Sequence, residues 1–402
     1  MDSAEARERG VLLIEQGGHG GVADYTAELA HALADRGWTV ELGTATDHMY
    51  EPHPGVTVHK VFPYFRGSSR AWRAMRRVRL TSAINALRFL LAIPRLARLA
   101  RRTRLVHCQG WELAPLGVPV VAAMRLAGAT VVQTSHNTFE RGAMSFERTH
   151  RALGSMAART IVHTQADVPA LLEPASRRAV VIPHGEYGGL ARTGGTADRD
   201  EARSGLGLPD GAPTALLFGQ IRWDKGLPDL LAAASRLPEL HLIIGGEDKG
   251  ALVAAADQLA APELEGRVIV REGYLSMADA AKLFAAADTS VLPYEKASQS
   301  GVLLLSYGFG RPVVVYPVGG LPEAVAEGET GWVCARADVD ALTDALRQTI
   351  EAGWEECRRR GLAGARLAHE RYSWSQIARL TEEVYLDALG VRADVPALAA
   401  SL

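Results

Sequence analysis

The stretch ASQSGVLLLSYGFGRPVVVYPVGGLPE, residues 297–323, decides the fold of this chain. Within it, residues 301–309 are apolar enough for a helix packed in the interior, and the helix breakers Gly-Arg-Pro follow directly. Residues 313–316 form the next strand, and a Gly-Gly loop then leads to a proline that suits a first helical turn. The stretch therefore predicts two helix starts that frame a buried strand. Free N–H groups at such starts carry partial positive charge, so each suits a phosphate.

The composition excludes several classes of protein. The 402 residues are enough for two domains, and 44 Lys plus Arg against 46 Asp plus Glu give a net charge of -2, which offers no case for a nucleic-acid partner. The three cysteines, Cys108, Cys334 and Cys357, are too far apart for a disulfide framework or a zinc site. The first apolar run, residues 11–14, is too short for a signal peptide or a membrane span. We therefore expect a cytoplasmic protein without a metal.

Strand-like and helix-like segments alternate in both halves of the chain, which is typical of parallel sheets covered by helices on both faces. The sequence predicts an α/β protein of two doubly wound, Rossmann-like domains that face each other across a cleft at the carboxyl ends of their strands. We place the domains at residues 1–190 and 191–373, followed by a terminal helical segment at 374–402. The glycine-rich segment 185–213 is the predicted connection, and its charged run DRDEAR predicts one short helix.

Two loops at predicted strand ends are candidate phosphate sites. Gly17–Gly21 (GGHGG) follows the first strand, where glycines let the backbone approach a ligand closely, although the register of a dinucleotide fingerprint is missing. A flexible turn is the alternative interpretation. The second loop, Gly219–Gly226 (GQIRWDKG), brings Arg222 and Lys225 to one strand end, where two cations can neutralise a pyrophosphate. Its alternative is a solvated pair of charges.

Histidines close several of the predicted strands. His136 lies in Ser-His-Asn-Thr at a strand end, next to Asn137 and Thr138, and it is a candidate catalytic residue. The alternative for His136 is a structural hydrogen-bonding role. For His107, His163 and His184 the structural role is the favoured interpretation.

The order of these motifs resembles the retaining glycosyltransferases of family 4, which have the GT-B fold of two facing Rossmann-like domains. The resemblance extends from about Val11 to Tyr385 and rests on the order of motifs along the chain. It implies transfer of a hexosyl group from a nucleoside diphosphate sugar, bound by the C-terminal domain, to an acceptor hydroxyl held mainly by the N-terminal domain. It also implies retention of the anomeric configuration, no cofactor, a role in bacterial glycoconjugate or natural-product biosynthesis, and a final helix after Tyr372–Ser375 that packs back on the N-terminal domain.

The resemblance also implies roles for individual residues. Arg222 and Lys225 would bind the diphosphate and stabilise the departing phosphate, and His136 would face the donor sugar. The family's usual glutamate pair is absent, because Ala297 and Leu305 occupy those positions. A branch of the family with a Ser/Thr-Gln-Ser-Gly-Val loop is more similar. The residues expected to contact the donor are Gly18, Gly20, Gly21, Gly219, Arg222, Lys225, Tyr274, Glu295, Ser298, Gln299, Ser300, Gly301, Val302 and Glu323.

The missing glutamates leave two other functions open. A catalytically silent GT-B homologue would bind a partner protein or a membrane and transfer no sugar. A nucleotide-sugar epimerase would consume the donor without an acceptor, but it would need an acid/base group that the absent glutamates do not supply.

One local stretch of strong positive charge runs from Arg66 to Arg104 and holds twelve arginines among leucines and other apolar residues. Such a segment can dock on an anionic membrane surface, which would place the protein on the inner membrane face. It can also bind a phosphorylated acceptor, or simply pack its apolar face on the first domain with its arginines in solvent.

Overall fold

The computed structural model describes residues 9–62, 87, 89–111, 114–136 and 147–391. The chain divides into two compact units, Met1–His184 together with Trp374–Leu402, and Gly185–Ser373. The second unit thus begins at Gly185, whereas the sequence analysis placed the boundary after residue 190. Most of the segment 66–104 lies outside the described residues.

The first unit is built on a seven-stranded sheet in the order β3-β2-β1-β4-β5-β6-β7, with every neighbouring pair parallel. All five residues of its first strand, GVLLI, are buried, as expected for a strand covered on both faces. The strands are β1 (Gly10–Ile14), β2 (Thr39–Ala45), β3 (Val56–Phe62), β4 (Leu105–Gln109), β5 (Thr130–Thr134), β6 (Arg159–Val162) and β7 (Ala179–Val181).

The described part of this unit before residue 184 contains four α-helices: α1 (Gly21–Asp35), α2 (Ile93–Thr103), α3 (Ala114–Leu126) and α4 (Glu147–Met156). Two short 3₁₀ helices, Gln165–Ala170 and Ser176–Arg178, follow β6. Helix α2 buries Leu96 and Leu99 at helical spacing and leaves its arginines exposed. In α2, the predicted amphipathic pattern is therefore present.

The second unit repeats the same architecture with a six-stranded parallel sheet in the order β10-β9-β8-β11-β12-β13. The strand order reverses between its first and fourth strands, as it does in the first unit. The strands are β8 (Thr214–Phe218), β9 (His241–Gly246), β10 (Val268–Glu272), β11 (Thr289–Leu292), β12 (Val313–Val315) and β13 (Gly331–Val333). Two doubly wound parallel sheets were the predicted fold, and the structure confirms them.

The helices of the second unit are α5 (Gly188–Thr193), α6 (Arg199–Leu206), α7 (Leu227–Ser235), α8 (Ala251–Ala254), α9 (Ala256–Leu259), α10 (Met277–Ala286), α11 (Gly301–Gly308) and α12 (Val339–Tyr372). Helix α12 is kinked at Gly353, where φ is 72°. Short 3₁₀ helices are Trp223–Lys225, Pro262–Leu264 and Pro322–Ala324. Helix α6 confirms the short helix predicted from DRDEAR, and the side chain of Asp198 caps it by accepting a hydrogen bond from the amide of Glu201. Within the described residues, no helix has the length and apolar character needed to cross a bilayer.

One of the two predicted helix starts is smaller than expected. The buried segment after Ser300 is an α-helix, but the Gly-Gly-Leu-Pro-Glu segment leads only into the three-residue 3₁₀ turn Pro322–Ala324. A single turn sums few peptide dipoles, so the positive end of this element is weak. The main helix start of this region is therefore the one at Ser300.

The last helix, α13 (Trp374–Ala388), packs on the first unit. Its residues Ile377, Val384 and Tyr385 are buried in the same core as strand β1 and helix α1. At its outer end, Arg36 donates to the carboxylate of Glu382 at 2.8 Å. At its inner face, the hydroxyl of Tyr385 lies 2.6 Å from Nδ1 of His107 on β4. The chain thus returns to complete the first unit after forming the second.

The bond between Tyr385 and His107 predicts a stability effect. Tyr385→Phe keeps the ring but leaves the buried Nδ1 of His107 with only a 3.4 Å contact to Nε2 of Gln109, so we expect the free energy of unfolding of the first unit to fall by about 1–3 kcal/mol. Tyr274→Phe is the matched control, because Tyr274 is 94% exposed. Denaturant unfolding of both variants measures the difference. Equal stability of the two variants would contradict the expected effect.

Candidate functional site

The sheet of the first unit carries a pocket where its strand order reverses, between β1 and β4. In doubly wound sheets the crossover helices diverge at this point and leave a crevice at the carboxyl ends of the strands. The pocket has a volume of about 400 Å³. Glu15 and Gln16 line it after β1, Gln109 and Trp111 after β4, and His136 after β5.

The predicted glycine loop forms one wall of this pocket. Gly17, His19 and Gly21 line it, and Gly18 and Gly20 adopt positive φ angles of 69° and 83°. Such angles are strained for other residues, which explains the glycines at these two positions. The loop is therefore part of a pocket wall. The alternative from the sequence was a flexible turn with no pocket beside it.

Two buried polar atoms of pocket residues have no hydrogen-bond partner among the described residues. They are Oε1 of Gln16 and Nε1 of Trp111. Gln16 is only 4% exposed, and its other amide atom, Nε2, donates to the carbonyl of Gly110 at 3.0 Å. Burying an unpaired polar atom is costly, and such atoms are rare in native proteins. One acceptor and one donor in the pocket wall thus remain unmatched by protein groups.

Behind the pocket lies a network of three buried histidines: His107 on β4, His136 just after β5 and His163 just after β6. His107 Nε2 lies 2.7 Å from Oγ1 of Thr134, and His163 Nε2 lies 3.0 Å from Nδ1 of His136. The ring of Tyr25 packs against His136 and His163, with ring centroids 4.7 Å and 5.2 Å away. Burial disfavours the charged imidazolium, so it lowers the pKa of His107 to about 3, that of His163 to about 4 and that of His136 well below its ordinary value.

His136 belongs to both the pocket and this network. Its Nε2 lies 3.0 Å from Oε1 of Gln109, and its Nδ1 is engaged with His163. Both ring nitrogens therefore have protein partners, and a hydrogen bond to a donor sugar would have to replace one of them. The geometry is that of the structural alternative for His136. Its predicted neighbours Asn137 and Thr138 lie outside the described residues.

In the second unit, three loops meet where the strand order reverses between β8 and β11. A Cβ at Gly226, after β8, would collide with the carbonyl of Pro293, after β11. Likewise a Cβ at Gly319, after β12, would collide with the carbonyl of Ala297, and the amide of Gly320 donates to the carbonyl of Ser298 at 2.9 Å. The three predicted donor-binding loops therefore lie together at one sheet edge.

The two predicted cations lie in this cluster of loops, and both contact protein groups. Arg222 donates to both carboxylate oxygens of Asp224, at 2.8 Å and 2.9 Å, and this bond raises the pKa of the guanidinium. Nζ of Lys225 lies 3.4 Å from the ring centroid of Tyr294, a cation–π contact. Asp224 is buried and holds the guanidinium in place, so Arg222 is a pre-positioned cation.

Helix α11 presents free backbone donors to the same edge. The side chain of Ser300 caps the helix by accepting from the amide of Leu303 at 3.3 Å, while no protein group in the described part accepts from the amides of Gly301 and Val302. A Cβ at Gly219 would lie 3.2 Å from the side chain of Val302, so the loop after β8 adjoins this helix start. Two free amides at a helix start next to Arg222 form an anion-binding arrangement.

The remaining predicted donor residues fall in different places. Glu295 and Glu323 are exposed after β11 and β12, Tyr274 is 94% exposed beyond the edge strand β10, and Oε1 of Gln299 has no partner among the described residues. Of the two positions where the glutamate pair is missing, Leu305 is 6% exposed and packs in an apolar core. At position 305 this chain thus has an apolar side chain that packs in the core.

Sequence reasoning missed most residues of the first-unit pocket, and four of these are Glu15, Gln16, Gln109 and Trp111. The sequence did hold a signal for these four residues. Each lies at or just after the end of an apolar strand, and ligands bind at the carboxyl ends of strands in parallel sheets. No metal-binding cluster of three His, Cys, Asp or Glu occurs among the residues that the structure describes.

Comparison with known proteins assigns the class. Residues 20–185 match the family model "Glycosyl transferase 4-like domain", and residues 212–352 match "Glycosyl transferases group 1". The chain is 28% identical over 389 residues to the D-inositol 3-phosphate glycosyltransferase of Segniliparus rotundus, an alignment that covers 90% of this chain and 83% of that protein.

Solved structures show the same fold. The sucrose-phosphate synthase of Thermosynechococcus elongatus superposes with a TM-score of 0.73 at 22% identity, covering 96% of this chain and 100% of that one. HepE of Anabaena, solved in complex with UDP, superposes with a TM-score of 0.72 at 18% identity, covering 94% and 100%. The superpositions show the GT-B fold, and the two glycosyltransferase family matches show that this chain is an enzyme that transfers a sugar.

The buried histidines predict how stability depends on pH. Their folded pKa values lie below the ordinary 6.5, so the unfolded chain binds more protons, and stability rises with pH. We expect the contribution to be complete above pH 6.5 and to be lost between 6.5 and about 4, with a slope of up to about 1.4 kcal/mol per pH unit for each histidine.

Denaturant unfolding at a series of pH values measures this slope. His107→Gln removes one titrating group and should flatten the slope by about one proton. The control is His150→Gln, a substitution of the same kind at an exposed histidine. A wild-type stability that stays flat over this range would show that the histidines do not titrate as their burial requires.

Proposed function

We propose that this enzyme is a retaining family 4 glycosyltransferase that moves a hexosyl group from a nucleoside diphosphate sugar to an acceptor hydroxyl. The observation that supports it best is the start of helix α11, where the amides of Gly301 and Val302 have no acceptor among the described residues. This helix start adjoins the loop that carries Arg222 and Lys225. Free amides and cations at one sheet edge are the donor set that a diphosphate needs.

In this proposal the second unit holds the donor without the usual glutamate pair. The diphosphate would bind the helix start and Arg222, whose guanidinium Asp224 already orients. Gln299 carries a free amide oxygen on the adjacent loop, so it is the candidate for a hydroxyl of the ribose or of the reacting sugar. Backbone amides and an amide side chain would thus replace the missing carboxylates.

The pocket of the first unit would hold the acceptor. Gln16, Gln109 and Trp111 line it, and a hydroxyl group can both donate to an amide oxygen and accept from an N–H group. Of the comparison proteins, one bears D-inositol 3-phosphate and another sucrose-phosphate in its name. A small polyhydroxylated acceptor therefore fits both the pocket and the relatives.

The chemistry would need no enzymic nucleophile. The departing phosphate takes the acceptor proton on the face from which it leaves, so the new bond forms with retention. Arg222 and the amides of α11 stabilise the negative charge as it develops on the phosphate, which is where fixed donors lower a barrier most. The proton acceptor is then the leaving group itself.

Arg222→Ala tests the donor site. Loss of the oriented cation should lower the kcat/KM for the donor by about a hundredfold or more, because the charge on the leaving group is then less stabilised. Arg236→Ala is the matched control, since Arg236 is an exposed arginine paired with Asp340 elsewhere on the unit. Thermal shift with UDP-, GDP-, ADP- and dTDP-sugars selects the donor first, because stabilisation grows with affinity.

The outcomes separate the alternatives. Near-normal turnover by Arg222→Ala would remove Arg222 from the mechanism. Stabilisation by a nucleotide sugar with neither transfer nor hydrolysis would favour the silent homologue, and donor isomerisation without an acceptor would favour the epimerase. The anomeric configuration of the first product, read by NMR, decides between retention and inversion.

We also propose that the basic segment docks this enzyme on an anionic membrane surface, at the inner membrane face of the cytoplasm. Leu87 and Leu91 are 61% and 69% exposed, and Arg95, Arg98 and Arg102 are exposed just beyond them. Exposed leucines beside several arginines suit a layer of negatively charged headgroups.

Vesicle binding tests this docking. The triple variant Arg95→Gln, Arg98→Gln, Arg102→Gln should bind phosphatidylserine vesicles about a hundredfold more weakly than wild type, since each basic residue contributes about 1 kcal/mol at the surface. A triple variant of exposed arginines in the second unit, at Arg236, Arg347 and Arg359, is the control. Wild-type binding that is equal on neutral phosphatidylcholine vesicles would contradict the docking.

A further inference from the structure

The buried carboxylate of Glu15 is a group that no step proposed above uses. Glu15 follows β1 directly, is 4% exposed and lines the pocket of the first unit. We propose that Glu15 is a positioning residue, which fixes the path of the loop Gly17–Gly21 and so shapes the acceptor pocket. This inference rests on the proposed function in one respect, the assignment of that pocket to the acceptor.

Four hydrogen bonds converge on the carboxylate. Oε1 accepts from the amide of Gly17 at 2.6 Å, and Oε2 accepts from the amide of Gly18 at 2.7 Å. Oε2 also accepts from Oγ1 of Thr44 at 3.1 Å and from the hydroxyl of Tyr50 at 2.8 Å. Hydrogen bonds to an ionised acceptor are among the strong ones in proteins. One side chain thus joins β1, β2, the glycine loop and the segment after β2.

The glycine loop has little freedom to follow another path. A Cβ at Gly18 would lie only 3.0 Å from Cβ of Ala45 and from Cα of His48, so the backbone here is pressed against the end of β2. The carbonyl of Gly18 accepts from the amide of Met49 at 3.1 Å, and that of Gly20 accepts from the amide of Asp24 in the first turn of α1. Glu15 binds the amides that begin this loop, and these two bonds hold the rest of it.

The position of the loop decides the shape of the pocket. Gly17, His19 and Gly21 all line it, and they lie within six residues of the carboxylate. If the amides of Gly17 and Gly18 were released, the wall would shift by the ångström or so that separates a productive pose from an unproductive one. The helix start of α1 would be affected through Gly20.

The bonding pattern supports a positioning role. Protein groups donate one hydrogen bond to Oε1 of Glu15 and three to Oε2, so both oxygens are engaged with the groups that they hold in place. Glu15 acts through the loop.

Glu15→Gln tests the proposal in the full-length protein. The amide keeps one accepting oxygen but places its NH₂ group opposite a backbone N–H, so one of the two loop amides loses its acceptor. We expect hydrogen exchange of the peptide that spans residues 16–21 to rise about tenfold or more. Tyr50→Phe is the matched comparison, because it removes a bond to the same oxygen while both amide bonds remain, and it should change this exchange far less.

Steady-state kinetics distinguish positioning from a purely structural role, because a purely structural role would not change the KM of the acceptor. The donor is the nucleotide sugar that most stabilises the wild type, and the acceptor probes are D-glucose, myo-inositol and their monophosphates. Glu15→Gln should raise the KM of the acceptor probe about tenfold or more and change kcat less than KM. If the glutamine variant does not fold, the double variant Thr44→Val, Tyr50→Phe takes its place, with smaller changes in the same direction.

Two results would overturn the proposal. One is exchange of residues 16–21 in Glu15→Gln equal to that of the wild type, a measurement that needs no substrate. The other is a lower melting temperature with an unchanged acceptor KM, which would mean a structural role alone. Failure of the proposed function can be told apart from failure of the positioning role of Glu15. In the former case the wild type itself would show neither stabilisation by a nucleotide sugar nor transfer.

Discussion

The constraint on which this structure depends is that all strands of each sheet are parallel and that their order reverses once, between the first and fourth strands. Parallel strands gather their carboxyl ends at one edge, and crossover helices that leave in opposite directions open a crevice at the reversal. The loop after β1 meets that after β4 in the first unit, and the loop after β8 meets that after β11 in the second. Side chains distant in sequence become neighbours for this reason alone.

The two crevices are built from different chemistry. The one in the second unit offers an arginine oriented by Asp224, a lysine and free helix amides, so it suits an anion. The described lining of the first-unit pocket is made mainly of neutral hydrogen-bonding groups together with the carboxylate of Glu15. A charged diphosphate and a hydroxylated acceptor would each be favoured by one site and not by the other.

Hydrogen bonds among buried polar groups hold the core of the first unit together, and the loss of one partner would lower its stability. His107, His136 and His163 stay neutral in the interior, and the hydroxyls of Tyr385 and Thr134 lie within hydrogen-bonding distance of His107. A network of this kind tolerates few substitutions, because a lost partner leaves a buried polar atom unsatisfied. Since Tyr385 comes from the last helix, the network is complete only after the chain has returned from the second unit.

The sequence by itself determined the two doubly wound sheets, the buried helix at Gly301 and the short helix in DRDEAR, because hydrophobic period and glycine or proline punctuation act locally. Only the tertiary structure decided that Arg222 is bound by Asp224, that His136 lies in a histidine network, that Gly-Gly-Leu-Pro-Glu makes one 3₁₀ turn, and that Glu15 holds the glycine loop. Partners in the histidine network lie 27 to 278 residues apart, so a local pattern does not show them. The bonds of Arg222 to Asp224 and of Glu15 to Gly17 join residues close in sequence, but they form only because of the backbone path of their loops.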